Sequence, residues 1–120
     1  MTELDEILAG LTDQVDGSLA AAVGGMDGLI VEHAGGARDE LAAFVAELTN
    51  VLASGAMALS GRLDGGPLQE VILGAERRLA YVRILNADLY CVLLLEASGN
   101  IGKARLYSDF AGKRILESLS

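Results

Sequence analysis

Leu4, Ile7, Leu8, Leu11 and Val15 recur at helical spacing, which predicts an amphipathic first helix over 2–15. Thr2 suits its N-cap, and Glu3, Asp5 and Glu6 suit the positive end of the helix dipole. Asp16 and Gly17 end it. The period then changes from helical to alternating: Leu19, Ala21 and Val23 predict a strand over 18–24. Asp27-Gly28 supplies the positive φ angles of a tight hairpin, and the aliphatic run that follows predicts a second strand over 29–34. Gly35, Gly36 and Ala37 lead into a long helix that starts near Asp39 and runs to Gly61, with Pro67 beyond it blocking any continuation.

Three strands are expected next, over 68–74, 78–85 and 89–95, separated by short turns at Glu76-Arg77 and Asn86–Asp88. Residues 89–95 are hydrophobic without interruption, so that strand should lie centrally, covered on both faces. The last helix is expected over 101–119. Ile101, Ala104, Ser108, Ala111, Ile115 and Leu119 form its stripe, and Gly102 would let its start approach the sheet. Leu106 and Phe110 lie off that stripe and are expected to pack on the first helix. The order αββαβββα, with hairpin turns inside each strand group, gives an α/β/α three-layer domain around a five-stranded antiparallel sheet. One domain is expected to span 1–120, and such a chain buries a core without disulfides or metals.

The long second helix departs from the pattern of the others. From Leu41 to Gly61 its only ionisable side chain is Glu47. Leu41, Phe44, Val45, Leu48, Leu52, Gly55 and Leu59 form the main apolar face. The opposite face carries Ala43, Ala46, Glu47, Asn50, Ala53, Ser54 and Met57, where a surface helix normally carries a charged stripe. Such a helix calls for cover on both sides, and the simplest cover is a second copy of the chain.

Composition agrees: 52% of residues are hydrophobic, slightly more than a globular domain usually holds. No apolar run approaches the roughly 20 residues of a membrane span, so the surplus is assigned to core and interface. The N-terminus has neither a basic segment nor a signal-like apolar stretch, and the expected location is cytoplasmic. The net charge of −8 disfavours nucleic acid and anionic membranes as partners. The single cysteine, Cys91, rules out an intrachain disulfide and a multi-cysteine zinc site.

The segments GGMDGLIVE (24–32) and RRLAYVRILNADLYCVLLLEASGNIGKARLY (77–107), in this order and with these spacings, make the chain resemble the roadblock family across nearly its whole length. The resemblance implies an α/β/α fold similar to profilin and longin domains. It also implies a homodimer whose third strands pair across a twofold axis and whose second helices pack together. Bacterial members are similar to MglB, which regulates a small Ras-like GTPase of the MglA type. The third strand fits, since Val71-Ile72-Leu73 would be a hazardous bare edge unless paired. Dimer contacts are therefore expected at Ala43, Ala46, Glu47, Asn50, Ser54, Met57, Gln69, Val71 and Leu73, and GTPase contacts at Glu47, Thr49 and Asn50. The expected function is a homodimeric module that binds and regulates such a GTPase, the alternative being a passive scaffold for a larger complex.

No catalytic, cofactor or metal site is expected. His33, the only histidine, reads as a strand-end residue near Glu32 and Arg38. Cys91 sits inside an apolar strand, where a thiol behaves as a small hydrophobe. Gly24, Gly25 and Gly28 lead into a strand and lack the Lys-Ser/Thr of a phosphate loop. Arg38, Arg62, Arg77 and Arg78 lie in or beside loops, where a finger that reaches a partner's nucleotide would sit, but solvated loop arginines are the commoner case. A ligand sensor, the third class with this layout, would need a ligand-sized interior cavity.

Overall fold

The computed structural model describes residues 3–120; the cap expected at Thr2 lies outside them. The uninterrupted apolar strand β5 (Leu89–Glu96) lies at the centre of the sheet. It is flanked by β1 (Ser18–Gly25) and β4 (Arg78–Ile84), with β2 (Ile30–Ala34) and β3 (Glu70–Gly74) at the two edges. All neighbours are antiparallel, in the order β2-β1-β5-β4-β3. Helices α1 (Glu3–Gln14) and α3 (Ile101–Leu119) cover one face, and α2 (Arg38–Ala56) covers the other. The expected αββαβββα order and three layers are present.

Residue parity along the strands sorts side chains between two cores. Ala21, Val23, Tyr81, Cys91, Leu93 and Leu95 meet Leu4, Ile7, Leu8 and Leu11 of α1 and Ala104, Ala111 and Ile115 of α3. Ala22, Ala80, Val82, Tyr90 and Val92 meet Val45, Leu48 and Leu52 of α2. Alanines at 20–22 keep β1 thin, so helices on both faces can come close. At Gly112 a Cβ would lie 2.7 Å from Leu85 Cδ2; this, and not the exposed Gly102, is where α3 approaches the sheet side.

The turns carry the chemistry their residues suggest. Gly28 has φ 88°, the Leu29 amide donates to Asp27 Oδ1 at 3.0 Å, and the Gly25 amide donates to the Leu29 carbonyl at 2.9 Å. Asn86 Oδ1 accepts from the amides of Asp88 and Leu89 at 2.8 and 2.9 Å. Asn100 caps α3 by accepting from the Lys103 amide at 3.0 Å. At α2 the expected cap is displaced: the helix starts at Arg38 after Ala37, which offers no side-chain bond, and Asp39 lies in the first turn. There its charge still faces the positive end of the dipole.

Two expectations about helix faces fail. Leu59, expected on the buried face of the long helix, is 52% exposed. After Ala56 the helix widens into a π-helical segment, Met57–Arg62. The added residue per turn moves Leu59 off the inward stripe. Leu106 and Phe110 do not pack into the interface between α1 and α3; they are 50% and 53% exposed. Ala104, Ala111 and Ile115 fill that interface instead.

A polar cluster, not anticipated from sequence, ties edge strand β3 to α3. Arg105 donates to both oxygens of Glu70, at 2.8 Å to Oε2 and 3.0 Å to Oε1, and the Tyr81 hydroxyl donates to Glu70 Oε1 at 2.7 Å. Arg83 extends the cluster to Asp109 at 3.0 Å. Hydrogen bonding from Arg105 holds the Glu70 carboxyl below its ordinary value of 4.5, against the opposing effect of burial. The ionised form is thus favoured in the folded chain. Its stabilisation is complete above the ordinary carboxylate value and is lost as pH falls through the lowered folded value. Glu70→Gln is therefore expected to destabilise the domain most at neutral pH, with the gap to the parent closing in acid; thermal melts across pH measure this.

Candidate functional site

The smooth face of α2 is outward in the folded chain. Ala43, Ala46, Glu47, Asn50, Ala53, Ser54 and Met57 are all exposed, Met57 by 68%. Val51, also exposed and not singled out from sequence, extends the apolar part of this surface. Leu59 and Leu63 extend it further at the C-terminal end, where the widened turn brings them outward. The periodicity of a regular helix conceals them, because it places Leu59 inside.

Strand β3 lies at the sheet edge and, among the described residues, pairs only with β4. Val71 is opposite Val82 and Leu73 opposite Ala80, so both side chains lie on the α2 side of the sheet. Ile72 is opposite Tyr81 and points to the other side. Val71 is half-buried, while Gln69 and Leu73 are exposed. The fold therefore sets Val71 and Leu73 on the same side of the sheet as α2, next to a row of backbone groups without strand partners.

Thr49 has a different place from Glu47 and Asn50, which are fully outward. It is half-buried, and its hydroxyl lies 3.0 Å from the Val45 carbonyl, 3.3 Å from the Gly25 carbonyl and 3.0 Å from the Tyr90 hydroxyl. Tyr90 in turn donates to the Val45 carbonyl at 3.1 Å. The side chain of Thr49 thus fastens α2 to β1 and β5 and orients the outward face without belonging to it.

By length and composition Arg38–Arg62 is apolar enough to cross a membrane, which a search for unbroken apolar runs does not reveal. Leu41, Val45, Leu48 and Leu52 nevertheless pack into the folded domain. The apolar character is therefore shared between a core face and a bare face.

The reactive side chains weighed from sequence lie apart. Cys91 is buried, and burial pushes its thiol up to about 12, far from nucleophilic thiolate. His33 Nδ1 lies 3.2 Å from the Gly35 carbonyl at the end of β2. Arg38 pairs loosely with Glu32 at 3.8 Å, and Arg78 with Glu96 at 3.2 Å. Arg62 and Arg77 make no ion pair among the described residues. A depression of about 560 Å³ beside Ala56, Leu68, Gln69 and Ile84 is an open cleft, not an enclosed chamber.

This arrangement is similar to that of a solved roadblock/LC7 domain from Streptomyces avermitilis. The likeness has a TM-score of 0.91 over 98% of each chain, at 19% identity. The fold is that of the roadblock/LC7 domain. A gliding protein MglB from Thermus thermophilus has the same roadblock fold, with a TM-score of 0.85 at 19% identity over 96% of this chain and 87% of that one. So does an MglB in a tetrameric arrangement, with a TM-score of 0.86 at 19% identity over 96% and 86%. No family model and no curated protein matches the sequence itself.

Thr49→Val keeps the shape of this roadblock helix but removes its tie to Tyr90. It is expected to lower stability by about 1 kcal/mol, read by urea unfolding, with no change in the residues that α2 presents outward.

Proposed function

We propose that this chain is a cytoplasmic homodimeric interaction module that binds and regulates a small Ras-like GTPase of the MglA type. The observation that carries the reading is the bare, nearly chargeless face of α2 lying on the same side of the sheet as the open edge of β3. A twofold axis beside β3 would pair two such edges antiparallel and bring two α2 helices together. That makes an isologous contact and removes an aggregation-prone edge in one step. Ala43, Ala46, Glu47, Asn50, Ser54 and Met57 would meet their mates on the helix, and Gln69, Val71 and Leu73 would lie at the strand. An MglB that adopts a tetrameric arrangement supports self-association of this fold.

The GTPase partner follows from the roadblock and MglB likeness. In this reading Glu47 and Asn50 line the partner surface at the rim of the paired helices, and Thr49 holds that rim in place. The chain brings no nucleotide chemistry of its own. Regulation would arise by differential binding: the dimer favours one switch conformation of the GTPase and orders catalytic loops the partner already has.

Ala46→Arg and Met57→Arg are each expected to yield a folded chain of reduced mass in sedimentation, since both sites are exposed and a buried arginine pair across a twofold axis repels. Unchanged mass in both variants removes α2 from the interface. For the partner, an MglA-type GTPase is assayed for binding and for GTP turnover with and without this protein. Binding with altered turnover supports regulation; binding with unaltered turnover assigns the scaffold role; no binding refutes the GTPase reading.

A further inference from the structure

We infer that the opposite layer, the face formed by α1 and α3, is a second self-association surface, separate from α2 and β3. Phe110 stands 53% exposed there, propped against Tyr107 with ring centroids 6.4 Å apart. Leu106, one turn away, is half-exposed. Beside them runs a groove of about 500 Å³ between the two helices, with Ile7, Gly10 and Phe110 among its walls.

Gly10 sits mid-helix in α1, where glycine is a poor helix former. A Cβ at that position would meet nothing within 4 Å. Nothing among the described residues requires the notch, and it is open to an incoming side chain.

Charge selects the occupant. Helix α1 carries Glu3, Asp5, Glu6 and Asp13 and no cation. Helix α3 carries Lys103, Arg105, Lys113 and Arg114 against Asp109 and Glu117; Arg105 is held by Glu70 and Lys113 by Asp109, which leaves Lys103 beside Asp16 and Arg114 in the groove wall. The groove thus has Asp13 on its α1 wall and Arg114 on its α3 wall, with Glu6 of α1 also unpaired among the described residues, a pattern that is the complement of itself. A partner of a single charge sign would match only one wall.

The same observation fixes the axis. Lys103 lies 3.9 Å from Asp16, and the Ser118 hydroxyl donates to Glu3 at 3.2 Å. The helices are therefore antiparallel, with Gly10 level with Phe110 and Glu6 level with Arg114. A twofold axis running across the helices would stack α1 on α1 and set acid against acid. An axis running between them, parallel to both, places each α1 over the partner's α3. Each Phe110 then faces the notch at Gly10 of the other copy, and each Arg114 faces a Glu6. Neither Glu6 nor Arg114 makes an ion pair within the described protomer, so both are available for the contact.

The test uses sedimentation over a wide concentration range, starting from Ala46→Arg so that the α2 contact and this one are read separately. Ala46→Arg is expected to form pairs as concentration rises. Adding Phe110→Asp or Gly10→Leu should leave single copies, and adding Arg114→Glu should weaken pairing by about tenfold or more. Adding Glu6→Arg to the Arg114→Glu chain should restore pairing, because the swapped walls are again complementary. A circular dichroism melt confirms that each variant folds, all four sites being on the surface groove or its rim. Any of three results overturns the inference: an Ala46→Arg chain that stays single at every concentration, pairing that survives Gly10→Leu, or pairing weakened by Arg114→Glu that Glu6→Arg does not restore. None of these results touches the α2 contact, which is judged by the mass of the parent against Ala46→Arg alone.

Discussion

An α-helix with its side chains is about 10–12 Å across, whereas five strands spaced about 4.8 Å apart span roughly 19 Å from first axis to last. Two helices cover such a sheet and one does not. On the α1/α3 side the cover is complete enough that Tyr81, Leu93 and Leu95 are sealed. On the other side α2 lies nearest β1 and β2. The sheet beyond it, toward β3, is left with half-buried Val71, exposed Leu73 and half-buried Leu94. The narrowness of one helix, set against the width of five strands, explains why the apolar surface of this domain is concentrated where it is.

Much of this is readable in the residues because it depends on local patterns. Seven apolar residues in a row at 89–95 leave no polar face for a strand to turn to water, so β5 has to be central. Asp27-Gly28 and Asn86–Asp88 make turns whose bonds close within three residues. The last helix is bounded by a capping Asn100 at its start and by the reach of its periodic stripe. What escapes depends on distance or on departures from period. Glu70 and Arg105 are 35 positions apart, and no pattern brings a strand-edge acid to a particular helix. Leu59 lands on the wrong face because one widened turn breaks the period that would place it inside.

The candidate site is legible in a similar way and to a similar degree. Absence of charge along one side of α2 is visible in the sequence, and the fold leaves that side bare. Thr49, adjacent in sequence to Asn50, cannot be separated from the outward residues by spacing alone. Its hydroxyl is drawn inward by Tyr90, a residue 41 positions away. On the opposite layer, Phe110 is expected to pack on α1, yet it stands half-exposed at the wall of the groove between α1 and α3, because Ile115, Ala104 and Ala111 already meet the α1 leucines beneath it.

None of the residues from Met57 to Arg62 is buried. The leucine and valine anchors of α2 all precede this segment, and the hydroxyl of Thr49 clamps the helix to the sheet upstream of it. The end of the helix is therefore held by its backbone, through the Gly65 amide, which donates to the Leu59 carbonyl at 2.9 Å, and by the chain that runs on into β3. No side chain of that segment anchors in either core, so a change of pitch there leaves both interiors closed.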